Sequence, residues 1–73
     1  MNIDAYIKME APNNDTHDIA YAIALKGAYV VYKDMLLTEL KEWQRIARSQ
    51  YNSSHNSTAE CMILSVLINE KED

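Results

Sequence analysis

The chain has 73 residues, a formal net charge of −4, one cysteine and one glycine. That length allows a single domain with a marginal core, and a lone cysteine excludes an internal disulfide. The acidic balance, with a pI near 5.0, disfavours nucleic acid as a partner, and one glycine excludes a glycine-rich phosphate loop.

Residues 2–10 carry two patterns at once. Ile3, Ala5, Ile7 and Met9 alternate with polar residues, as in a strand. Ile3 and Ile7 are also one helical turn apart, with Asn2 placed to cap. A lone strand needs a partner, so a short helix or ordered arm over residues 1–16 is the better reading, stopped by Pro12 and a polar turn. The acids inside MNIDAYIKME exclude a signal peptide. No apolar run approaches the ~20 residues of a membrane span. The expected location is therefore the cytoplasm.

Residues 17–33 form an apolar helix. Asp15 or Thr16 is the expected N-cap, with Asp18 in the first turn. In IAYAIALKGAYVVY, residues 19–32, only Lys26 and Gly27 are neither apolar nor aromatic. A helix apolar all round belongs inside something. Gly27 and the β-favouring run Tyr29–Tyr32 oppose helix, and the rival assignment makes residues 28–33 a strand after a Gly27 cap.

Residues 34–50 form an amphipathic helix. Met35, Leu36, Leu40, Trp43, Ile46 and Ala47 share one face, and Glu39, Lys41, Glu42, Arg45 and Arg48 lie mostly opposite. One rod from residue 18 to 50 would be about 50 Å long, against about 30 Å for a globule of this size. A break is expected at Lys33–Asp34, with Asp34 capping the new helix, or at Gly27. After the polar loop 51–57, Ser57-Thr58-Ala59-Glu60 matches a capping box. It opens a second apolar helix, residues 58–71.

Two of the three main helices are too apolar to be covered by the third. The fold class expected is all-α: a small helical bundle of about three main helices plus the N-terminal helix or arm, completed by homo-oligomerisation. Small scaffolds lacking disulfides turn to metal or association. His17, His55 and Cys61 show no metal-ligand spacing, so association remains, most simply as a homodimer. The expected seam is Ile19, Ile23, Val30, Trp43, Ile63 and Leu67.

Catalytic arrangements are weak. Cys61 falls in an apolar helix surface, where it packs as a small hydrophobe. Ser53 and Ser54 beside His55 lack an oriented acid, and Asp15 with Asp18 or Glu39 with Glu42 read as solvated helix surface. Two cationic groupings are better candidates for binding. Lys26 and Lys33 flank Tyr29 on one helix line, suited to an acidic partner or an anionic ligand, although lysines also snorkel from buried helices. Lys41, Arg45 and Arg48 form a basic stripe near a helix C-terminus, where the dipole alone favours cations.

The sequence thus points to a non-enzymatic, acidic interaction protein without cofactor or metal. The expected protein is a homodimeric regulator or inhibitor of one macromolecular partner, such as a host protein for a phage-type product. The alternative is an oligomeric sponge that holds a nucleotide or other anion between subunits through Lys26, Tyr29 and Lys33. A DNA-binding regulator using the basic stripe ranks third.

Overall fold

The computed structural model describes residues 1–72, in four α-helices: α1 (Ile3–Glu10), α2 (Thr16–Tyr32), α3 (Leu37–Ser49) and α4 (His55–Glu72). No strand occurs among the described residues. The two ambiguous stretches, 2–10 and 28–33, are thereby helical apart from the caps Asn2 and Lys33.

Local chemistry explains most of the boundaries. Asn2 Oδ1 accepts from the Ala5 N–H at 3.1 Å, opening α1. Asp15 accepts from the Asp18 N–H at 2.8 Å, opening α2. Asp18, itself buried, then accepts from the Asn13 N–H at 2.7 Å and so ties the preceding turn to the helix. Asn14 completes that turn at φ 56°, a left-handed conformation that asparagine tolerates well.

Two caps differ from expectation. α2 ends at Tyr32 and α3 begins after Leu36, so the rod breaks near Lys33 as expected, but Asp34 is not the cap. Instead the Glu39 carboxylate reaches back to the Leu36 N–H at 3.2 Å. α4 starts earlier than the Ser57 box predicts. Ser54 is the capping side chain, accepting from the Ser57 N–H at 3.1 Å. The Ser57 hydroxyl is occupied by the loop, accepting from the Asn52 N–H at 3.4 Å. Two serines three residues apart compete for one helix start, and the outer one wins because its loop is already folded back.

α4 is the centre of the bundle, lying against both α2 and α3. It contributes Ala59, Ile63, Leu64, Leu67 and Ile68 to the core, where they meet Leu25, Ala28 and Tyr32 of α2 and Leu40 and Ala47 of α3. Leu25, Leu40, Ile63 and Leu64 are fully buried. This corrects the expected seam: Ile63 and Leu67 are held inside the protomer and have no surface to offer another chain. Side-chain bonds fix α3 on α4, with the Gln44 amide donating to the Ser65 hydroxyl at 3.1 Å and Lys41 meeting Glu72 at 2.9 Å.

α1 packs along α2. Met1, Ile3, Tyr6 and Ile7 turn toward the core, and the N-terminal ammonium meets Glu70 near the far end of α4 at 3.3 Å. The Cα trace measures 35 × 26 × 16 Å. Its short axis matches two helix layers, from a Cα cylinder radius of about 2.3 Å and an interaxial spacing of about 8–10 Å. So thin a bundle cannot enclose every apolar face.

Candidate functional site

The uncovered face belongs to α2. Placed at 100° per residue, Ile19, Val30, Ile23, Gly27 and Val31 occupy one continuous arc of about 120°. Ile19 is 47% exposed, Ile23 69%, Val30 59% and Val31 59%. Leu25, Ala28 and Tyr32, on the opposite side, are buried chiefly by α4, with Trp43 of α3 beside Tyr32. Lys26, Tyr29 and Lys33 lie between the arcs, on the flank against which α1 packs. α2 is therefore apolar all round, yet only partly enclosed.

Gly27 sits at the middle of the open arc. A Cβ placed there would meet nothing within 4 Å, and its φ is not positive. The glycine is required neither by a turn nor by packing within the protomer. Beside it a shallow apolar depression of ≈ 530 Å³ runs between α1 and α2, with Ile7, Ile23 and Val30 on its walls. Soluble monomers seldom expose contiguous apolar patches of more than a few hundred Å².

The expected binding residues are distributed differently. Lys26 and Lys33 do share a flank with Tyr29, but the Lys26 ammonium is engaged by Asp4 of α1 at 3.4 Å. Tyr29 is half-buried against the core and Lys33 is an exposed C-cap. In the basic stripe, Lys41 meets Glu72 and Arg45 pairs with Glu42. The Arg45 hydrogen bond holds the Glu42 carboxyl below its ordinary range. Arg48 has no ion pair among the described residues. Most of the stripe's charge is thus matched inside the protomer.

Trp43 is 43% exposed, with its ring 6.2 Å from that of Tyr32 and tilted by 50°. It forms one wall of a groove of ≈ 420 Å³ between the end of α3 and the start of α4. Tyr32, Gln50, Asn56 and Glu60 also line it. Burial pushes the Tyr32 hydroxyl up, and the Glu60 charge adds to the shift.

Sequence reading missed one pair altogether. His17, at the start of α2, and His55, at the start of α4, meet with Nδ1 and Nε2 2.9 Å apart and the rings edge-on. They are 38 positions apart, so no local spacing reveals them. One ring donates and the other accepts, linking the two helix starts. No third His, Cys, Asp or Glu joins them: no group of three that could hold a metal occurs among the described residues. Cys61 is free and half-buried on α4. No helix among the described residues is long and apolar enough to cross a membrane.

Comparison of the chain with protein-family models, curated proteins and solved structures gives no match.

Proposed function

We propose that this is a non-enzymatic interaction protein of the cytoplasm, which associates with itself through the open arc of α2 and regulates or blocks one macromolecular partner. The supporting observation is the arc itself: Ile19, Ile23, Val30 and Val31, contiguous, apolar and about half exposed or more, with Gly27 bare at its centre. A helix without a side chain at its midpoint lets a second helix approach closely. A twofold axis near Gly27 would set Ile23 of each subunit against Val31 of the other, as an isologous contact requires.

Magnitudes limit how tight that contact is. Completing the burial of a half-covered aliphatic side chain adds about 1–1.5 kcal/mol, so eight such chains across a dimer supply about 10 kcal/mol. Association costs at least about 4 kcal/mol. With that smallest cost, the net places the tight limit of the dissociation constant on the order of 10–100 μM, a reversible dimer. Sedimentation equilibrium across that range tests it: the apparent mass should rise from 8.4 kDa toward twice that value, and Ile23→Asp should hold it at the monomer. A wild-type mass that stays monomeric throughout would exclude self-association through this face.

The anion-sponge alternative has less behind it, because Lys26 already faces Asp4 at 3.4 Å. A ligand would have to displace that carboxylate.

A further inference from the structure

The groove between α3 and α4 presents an unusual set of unpaired groups. Tyr32 forms its floor and is only 6% exposed, yet its hydroxyl makes no hydrogen bond among the described residues. Glu60, half-buried and also lining the groove, takes part in no ion pair among the described residues. The Asn56 amide, one turn earlier on the same face of α4, and the Gln50 amide at the end of α3 are also without a protein partner. Trp43 closes the groove with an apolar wall.

Water reaches these groups: Gln50 and Asn56 are exposed, and among the described residues only the Tyr6 hydroxyl is buried without a partner. A ligand that enters the groove must therefore replace the hydrogen bonds of the water it displaces. The charge of a ligand that can do so follows from the lining. No lysine or arginine borders the groove, and Glu60 is its only ionisable carboxylate. The C-terminus of α3 and the N-terminus of α4 both open here, so their dipole ends offset one another. Glu60 therefore sets the sign, which rejects phosphates and carboxylates and favours a cation. The aromatic wall sharpens this, since cations over indole or phenol faces gain about 0.5–2 kcal/mol. A planar donor that lies along Trp43, donates to Glu60 and meets the Tyr32 hydroxyl satisfies all three groups. That shape is a guanidinium.

We infer that the groove between α3 and α4 is a recognition site for a guanidinium group, held by Glu60 and Tyr32 against Trp43. This deepens the reading of the protein as an interaction module by naming what its partner presents. It is independent of the α2 arc: the groove is built within one subunit.

Trp43 is the only tryptophan, so its fluorescence reports directly on the groove. The full-length protein is titrated at low ionic strength with N-acetyl-arginine amide, and separately with N-acetyl-citrulline amide, its uncharged counterpart. The arginine compound should give a saturable change and the citrulline compound none. Glu60→Gln should weaken binding roughly tenfold or more and Tyr32→Phe a few-fold, with helical circular dichroism unchanged. Equal responses to both compounds, or full affinity in Glu60→Gln, would overturn the proposal. If Glu60→Gln fails to fold, the comparison of the two compounds on the wild-type chain still decides. A neutral peptide bearing a single arginine locates the source. Binding at least roughly tenfold tighter than the free amide identifies a protein partner's side chain, and equal binding identifies a free small cation. Sedimentation without any ligand tests self-association separately, so failure of one does not imply failure of the other.

Discussion

α2 and α4 are written in the same language and end in different places. Both carry apolar residues around most of their circumference, and by periodicity alone neither has a face to spare for solvent. α4 is covered by α2 on one side and α3 on another, and it keeps Ile63 and Leu64 fully dry. α2 lies at the edge of the bundle, with α4 on one arc, α1 on a second and nothing on the third. The difference teaches that apolar coverage specifies how much contact a helix needs, while its rank in the packing order decides whether its own chain provides it. The residues left over on α2 are then the ones available to another molecule.

The sharpest test of that contrast is truncation on each helix. Leu64→Ala should cost about 2–5 kcal/mol in urea or thermal unfolding, the range for a buried leucine whose site cannot collapse. Ile23→Ala, with the side chain 69% exposed, should change the stability of the dilute monomer by no more than about 0.5 kcal/mol. Similar losses at both positions would mean that α2 is covered within the subunit.

A smaller effect comes from the flank of α2 that α1 does cover. The Tyr6 hydroxyl is buried without a hydrogen-bond partner, and burial, aided by Glu10, pushes it up to about 12. Below pH 10 the phenol is protonated in both folded and unfolded chains. Between pH 10 and about 12 the unfolded chain releases the proton while the folded one keeps it, so folding stability falls as pH rises. Tyr6→Phe should reduce that alkaline loss and leave stability at pH 7 equal or slightly higher, since it removes an unpaired group. Chemical unfolding at pH 7 and pH 11 reads both.

The smallest effect concerns Gly27. Its backbone is ordinary helix and its Cβ position is empty, so Gly27→Ala should stabilise the monomer by about 0.5–1 kcal/mol. The same methyl would stand in the seam of the proposed dimer. Higher melting temperature together with weaker association is the expected signature, and tighter association would move the contact elsewhere on α2.

Local signals carried much of this fold. Asn2 and Asp15 cap the helices they precede, and the break near Lys33 follows from the length of rod a small globule accommodates. Failures occurred where two local solutions compete or where the deciding contact is distant. Ser54 and Ser57 are both sound caps, and only the folded-back loop around Asn52 selects between them. Glu39 caps α3 by reaching three residues backward to a leucine, which no N-cap preference anticipates. Periodicity alone makes Ile63 and Leu67 suitable for a seam, because the central position of α4 is a property of the packing and not of its own sequence. The His17–His55 contact likewise joins two helices across a long stretch of chain, and the meeting of Tyr32, Trp43 and Glu60 joins three. Lys26 and Lys33 share one helix line by spacing alone, but the reach of Asp4 to Lys26 depends on where α1 packs.

The central claim is that association uses the open arc of α2 and spares α4. Amide chemical shifts followed by NMR from about 10 μM to 1 mM, bracketing the dissociation constant argued above, test it most directly. The account predicts concentration-dependent shifts at Ile19, Ile23, Gly27, Val30 and Val31, with Ile63, Leu64 and Leu67 unmoved. Shifts centred on α4, or none at any residue across the series, would contradict it.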